Sequence, residues 1–348
     1  MKHGKLLIWL SAAVIGVGFG AASYSFTAET GITAAAETGE DTTDSGLSYT
    51  YDTVSKEATI TGYSGSSRDV TIPSKIGIYT VTKIGASAFY DQKITSVVIP
   101  DTVTEIGEDA FRRCINLTEL TLPQVKTVGK TSFMHCFSLV SVSMPQVRTI
   151  GESAFYYCPK MTSVSAPLAE TIGDAAFCYS TALTYISLPK ARTLGGHAFA
   201  QCSVLRSISI PKVETISDYA FNNCSALSSI HPKSVKTIGY CAFSGCKGLT
   251  DISLPDSVTE IGMSAFSHCT GLTSVQIWGP AKLCANAFYN CTSLISVTLS
   301  KESYTDPSTV AFYHCPNLQR IHGIPVYTYE TDAQGHSYPV VSSDPEVQ

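Results

Sequence analysis

Apolar and polar positions recur along this chain with a fixed step. From Ala110-Phe111-Arg112-Arg113-Cys114 the phenylalanine returns at Phe133, Phe155, Phe177, Phe199, Phe221 and Phe243, each 22 residues on. Phe266, Phe288 and Phe312 follow at steps of 23, 22 and 24, and Phe89 precedes the series by 22. Such a period marks a solenoid, in which each unit buries its apolar face only against its neighbours. Five residues before the phenylalanine stands an aliphatic residue, from Ile84 and Ile106 to Ile261 and Leu283, until Pro307 breaks the rule. Four before it stands glycine, from Gly85 to Gly262, replaced by Ser217, Cys284 and Ser308 in three coils. A position that demanded positive φ would tolerate those replacements poorly, so the expected requirement is small size where coils approach closely. Six residues after the phenylalanine comes Leu117-x-x-Leu120-x-Leu122-Pro123, repeated as Leu139-x-x-Val142-x-Met144-Pro145. Alternating apolar residues ended by proline predict one short strand per coil.

L-x-x-L-x-L is the strand signature of leucine-rich repeats. The longer pattern, L-x-x-I-x-L-P followed by V-x-x-I-G-x-x-A-F-x-x-C, resembles the BspA-like (Treponema-type) subclass over roughly residues 47–325. The resemblance implies a right-handed leucine-rich-repeat solenoid of about eleven coils of 22–24 residues, with a parallel sheet on the concave side and short helices or turns on the convex side. It also implies a non-enzymatic, extracellular binding role of the kind bacterial surface proteins have.

Residues 1–22 carry a basic head, Met1-Lys2-His3-Gly4-Lys5, an apolar run from Leu6 to Gly20 and small residues at Gly20-Ala21-Ala22. That order predicts a secretory signal peptide cleaved near Ala22, shorter than the roughly 20 apolar residues a spanning helix needs. Cleavage would leave no membrane span. Residues 23–46, rich in Thr, Ala, Glu, Gly and Asp, read as a flexible linker. In segment 47–84, Leu47–Tyr51 and Ala58–Thr61 flank a polar turn, which predicts a β-hairpin cap before the entry into the array. The array itself spans 85–320, with short-changed strands at Ile230-His231-Pro232 and at Ile277-Trp278, and a stretched linker at Thr305-Asp306-Pro307-Ser308. In 321–348, two alternating runs about Ala333-Gln334-Gly335 predict a C-terminal hairpin cap, and Ser342–Gln348 a disordered tail.

Charge changes the picture little. Charged residues make up 15%, the formal net charge is -5, and no Lys/Arg run or basic patch is visible, which argues against nucleic acid as a partner. The 12 cysteines matter more, because an exported chain with an even count invites disulfides. Nine of them, from Cys114 to Cys315, share one repeat position, and serine takes that place once, at Ser180. Stacked coils would hold equivalent residues roughly 4.8 Å apart with parallel side chains, whereas a disulfide draws Cβ atoms to about 3.8 Å. A buried ladder of free thiols is therefore expected, with Cys178, Cys241 and Cys284 off it. No paired C-x-x-C, H-E-x-x-H, G-x-S-x-G or phosphate-cradling loop occurs, so no metal, cofactor or catalytic group is assigned.

What remains is surface. Outward strand positions such as Glu119, Thr121, Ser141, Ser143, Ser163 and Ser165 form a flat face of hydroxyls. The two positions after each phenylalanine instead collect rings and bases, densest at Arg112, Arg113, His135, Tyr156, Tyr157 and Tyr179. Since binding hot spots favour Tyr, Trp and Arg, this ridge is the candidate site for an extracellular protein or glycoprotein partner. The plainer alternative is that these rings only cover the edge of the coil. At the level of the whole chain, a secreted or cell-surface binding protein stands against a structural spacer or assembly subunit.

Overall fold

The structure is a computed structural model that describes residues 38–300, 302–305, 310–322, 327–331 and 337–341. The expected signal peptide, most of the linker, the stretch around Pro307 and the tail after Val341 lie outside the described residues. The chain winds into a parallel β-solenoid in which each 22-residue step of sequence becomes one coil. Each coil bonds to the next along three stretches.

The first stretch is the strand expected from L-x-x-L-x-L. Glu119–Thr121, Ser141–Ser143 and Ser163–Ser165 pair in parallel, with Leu120, Val142 and Val164 in register. The middle residue points inward, so Leu120 and Val142 are buried while Glu119 and Thr121 are exposed. This sheet is not continuous. It divides into Asp69–Thr71 with Ser96–Val98, the three strands just named, Tyr185–Ser187 through Ser229–Ile230, and Asp251–Leu254 through Arg320–His322. One division follows Ile230, where the strand run is a residue short, although the coil keeps its 22 residues, and Pro232 has no amide hydrogen to donate.

The second stretch was not expected as a sheet. Two-residue strands ahead of the glycine, such as Thr127–Val128, Thr149–Ile150 and Thr171–Ile172, pair coil to coil in parallel. They belong to a 15-stranded sheet that runs from Thr38–Thr42 to Tyr304–Thr305. A β-branched residue at nearly every inward place suits an extended backbone, and a two-residue strand is too short to show alternation in sequence.

The third stretch is the turn that carries the phenylalanine; no helix occurs among the described residues, so the convex elements expected as helices or turns are turns. Amides two before, at and two after the phenylalanine donate to the next coil, as in Ser153 N to Asp174 O at 2.7 Å, Phe155 N to Ala176 O at 2.8 Å and Tyr157 N to Cys178 O at 2.8 Å. The backbone achieves this with positive φ on either side of the phenylalanine, for example 52° at Ser153 and 56° at Tyr157.

Glycine at the fourth place before the phenylalanine has no positive φ. A Cβ on Gly129 would lie 2.6 Å from the carbonyl carbon of Gly107, so close approach of coils is the constraint there. Where Ser217 stands instead, its hydroxyl donates to Leu194 O at 2.6 Å.

Inside, Phe89 through Phe312 form one column of buried rings with centroids 4.9–5.6 Å apart and planes within 11° of parallel. Offset stacking of this kind avoids facing like quadrupoles directly. Beside it runs the expected thiol ladder, free and buried: Cys114 donates to Phe89 O at 3.0 Å and Cys136 to Phe111 O at 3.3 Å, and Cys158 through Cys315 repeat the bond. Burial pushes the thiols of Cys114, Cys158 and Cys269 up to about 12. Ser180, in the same place, is fully buried with its hydroxyl unpartnered.

At the N-terminal end, β1 (Thr38–Thr42), β2 (Leu47–Asp52) and β3 (Glu57–Tyr63) form an antiparallel ribbon, and β3 then pairs in parallel with Tyr79–Ile84. β2 and β3 pair as a hairpin, and Tyr63 closes the ring column with its centroid 5.6 Å from Phe89. β1 corrects the linker reading: Thr38–Thr42 lies within 23–46, yet it is a strand, because the free edge of β2 offers it a full set of backbone partners. Tyr327–Thr331 and Ser337–Val341 pair as an antiparallel hairpin at the other end.

Candidate functional site

The ridge residues share one origin. Each follows a buried phenylalanine, so the column anchors the turn and the next two side chains must leave the core. The second of them sits at positive φ in coil after coil, with φ of 63° at Arg113 and His135, 56° at Tyr157 and 61° at Tyr179. Only Gly245 fills that place with the residue that the conformation favours.

Three coils bring four of the six expected residues together as one patch. His135 lies 6.0 Å from Tyr156 and 5.9 Å from Tyr157, measured between ring centroids. Tyr179 completes the group, 5.7 Å from Tyr156 and 5.6 Å from Tyr157. Phe137 joins them, 5.6 Å from His135 and 5.8 Å from Tyr157. Phe137 was not among the expected residues, because it lies four after Phe133, beyond the thiol, in a place that other coils fill with Thr, Ser, Lys, Pro or Ile and never with another aromatic residue. An exposed aromatic directly after Cys136 was the available signal.

The patch has a floor and a top. His135, Tyr156 and Tyr179 are half-buried, while Tyr157 and Phe137 keep 42% and 40% of their surface exposed. Burial raises the Tyr156 phenol. Burial, and then the charges of Arg112 and Arg113, hold His135 below the ordinary histidine range.

The two arginines flank the rings but are already engaged. Arg112 pairs with Asp109 at 3.2 Å and lies over the Tyr90 ring at 5.9 Å, with its Nε buried and unpartnered. Arg113 donates from Nε to Asp91 Oδ1 at 3.0 Å across one coil. They bound the patch on one side rather than extend it. Further along the same edge, His268, Tyr289, Tyr313 and His314 form a second ring group, with Tyr289 5.8 Å from Tyr313. The expected face of hydroxyls is present, with Ser163 and Ser165 exposed and Ser141 and Ser143 half-buried.

One feature of the surface runs against the sequence reading. No basic run exists along the chain, yet the coil collects Arg148, Lys190, Arg192 and Lys212 around a shallow groove of about 370 Å³ that Leu168 and Glu170 complete. Among the described residues no group of three His, Cys, Asp or Glu could hold a metal ion. No helix among them is long and apolar enough to cross a membrane.

Comparison with known proteins decides the family. The BspA type leucine rich repeat region matches residues 82–205, 170–282 and 214–328 in six copies. The chain belongs to the BspA-type leucine-rich repeat family. No curated protein matches it. Among solved structures, a leucine-rich repeat protein from Bacteroides ovatus shares 21% identity at a TM-score of 0.51, covering 82% of this chain and 89% of that one. A leucine rich cell surface protein from Faecalibacterium prausnitzii shares 28% identity over 82% of this chain and 94% of that one, with a TM-score of 0.44. The Bacteroides ovatus likeness carries the leucine-rich-repeat fold and no more.

Proposed function

We propose that this BspA-type chain is a secreted or cell-surface binding protein that holds an extracellular protein or glycoprotein on the ridge, and that its role is binding rather than catalysis. One observation carries the reading. Tyr157 and Phe137 stand exposed on a floor of packed rings, on a backbone fixed by coil-to-coil hydrogen bonds. Rigid aromatic side chains lose little conformational freedom when a partner covers them, and a fixed scaffold keeps the patch assembled before binding. The arginines at its margin give the rim polar character. The reading includes export: the mature chain is expected to start near Ser23, which N-terminal sequencing of secreted protein checks.

The binding test uses immobilised extracellular-matrix extract and purified mucin as probes. Phe137→Ala with Tyr157→Ala should weaken retention at least tenfold. Ser163→Ala with Ser165→Ala, on the hydroxyl face, should leave it within twofold. The opposite ranking would move the site to the strands.

A further inference from the structure

The basic groove lies away from the ridge, on the edge where each coil enters its two-residue strand. Two columns of side chains meet there. Arg148, Glu170, Arg192, Glu214 and Lys236 each precede the threonine of a short strand, and the backbone ladder locks them in register, with Glu170 N donating to Arg148 O at 2.8 Å and Arg192 N to Glu170 O at 2.9 Å. Lys190 and Lys212 come from the residue after the proline of their coils. The row thus holds five cations against two carboxylates in a chain whose net charge is -5. Arg148 pairs with Glu170 at 2.6 Å and Lys236 with Glu214 at 2.7 Å. Among the described residues Lys190, Arg192 and Lys212 make no ion pair, and all three are exposed.

We infer that this edge is a second binding site, and that its ligand is an acidic polysaccharide carrying sulfate or carboxylate groups. The spacing sets the shape of the ligand. Equivalent residues in adjacent coils repeat at roughly the 4.8 Å of neighbouring strands, so Arg148, Arg192 and Lys236 recur at about twice that step with a glutamate between them, and Lys190 and Lys212 add charge beside them, a periodic array that fits an extended linear polyanion. The composition of the groove sets its chemistry. It offers no aromatic ring on which a nucleobase could stack, and a single apolar residue, Leu168, is a poor anchor for a protein hot spot. Glu170 and Glu214 sit between the cations and retain free lone pairs. They would repel a uniform polyphosphate, whereas a sugar chain brings hydroxyl donors that can bond to them between its anionic groups. Arg192 can grip a sulfate or carboxylate through two parallel N–H donors, while Lys190 and Lys212 act as point charges.

The experiment measures binding of the full chain to a size-defined heparin oligosaccharide, with neutral dextran, polyphosphate and single-stranded DNA as comparison probes. Lys190→Gln, Arg192→Gln and Lys212→Gln together should weaken heparin binding at least tenfold and flatten its salt dependence. The control removes the same charge elsewhere, with Lys93→Gln, Lys160→Gln and Lys247→Gln, and should change binding less than twofold. Dextran should not bind, and polyphosphate and DNA should bind more weakly than heparin at equal salt. Equal losses in the two triple variants would overturn the site. Equal or tighter binding of polyphosphate or DNA would overturn the polysaccharide assignment. Phe137→Ala with Tyr157→Ala should leave heparin binding intact, which separates this inference from the ridge.

Discussion

Two columns of aromatic side chains run along this solenoid a few residues apart, and they pack by different rules. Inside, the phenylalanines stack within 11° of parallel, because every coil repeats the same backbone and a translated ring can only face its copy. Outside, on the ridge, His135 and Tyr157 meet at 87°, Phe137 and Tyr157 at 76°, and Tyr156 and Tyr179 at 71°. Here the ring type changes from coil to coil, so edge-to-face contacts become available and the surface takes an individual shape. The inner column shows what the fold needs. The outer one shows where the sequence is free to specify a partner. If this division is right, damage inside should spread through the array, and damage outside should stay local.

The largest effect is expected from the thiols that flank the inner column. Burial raises the pKa of Cys114, Cys158 and Cys269 to about 12 and those of Cys136, Cys202, Cys224 and Cys246 in the same direction. In the unfolded chain a thiol ionises near 8.5. A folded-state pKa raised above the unfolded one stabilises the native state fully below about pH 8.5, and that stability drains away as pH rises toward about 12. The urea midpoint should therefore fall steeply between pH 8 and pH 10. The double variant Cys136→Ser with Cys158→Ser should fall less over the same interval, since serine does not ionise there. Identical slopes for the two proteins would show that the ladder does not govern alkaline stability.

Next comes the ring column itself. Phe155→Ala leaves a cavity between two coils and should cost about 3–5 kcal/mol. Because each coil rests on its neighbours, unfolding should also lose cooperativity. Amide exchange should accelerate in the coils on both sides, not only at residue 155. Faster exchange confined to one coil would mean that the column does not couple the array.

How far these features could be read beforehand follows from the same contrast. The phenylalanines, the buried thiols and the close-approach glycines repeat at one interval, so residue spacing alone exposed them. The Thr-Ile and Thr-Val strands repeat as faithfully, but two residues show no alternation, and their sheet emerged only from pairing across coils. Strand β1, with the sequence Thr38-Gly39-Glu40-Asp41-Thr42, has no apolar residue to announce it; the exposed edge of β2 makes it a strand. On the ridge, Tyr156, Tyr157 and Tyr179 were legible from their place after the phenylalanine, whereas Phe137 falls off that register. Lys190 and Arg192 are split by Ala191, and Arg148 and Lys212 lie one or two coils away along the chain, so a search for basic runs passes over them.

The smallest effect isolates the backbone beneath the ridge. Tyr157 has φ of 56°, a conformation that costs a non-glycine residue about 1 kcal/mol or more. Tyr157→Ala removes the ring contacts but keeps that strain. Tyr157→Gly removes the ring contacts and the strain together, at the cost of a more flexible unfolded chain. Gly245 already occupies the equivalent place in another coil, so the fold accepts glycine there. The glycine variant should therefore be more stable than the alanine variant by about 0.5–1 kcal/mol, the strain relief less the added unfolded-state entropy. At Phe155 the order should reverse, because that residue has no positive φ and glycine adds only unfolded-state freedom to the lost packing. Paired denaturation curves for the four variants decide the matter. If glycine is the less stable choice at both positions, the left-handed turn carries no strain, and the ridge residues are held out by packing alone.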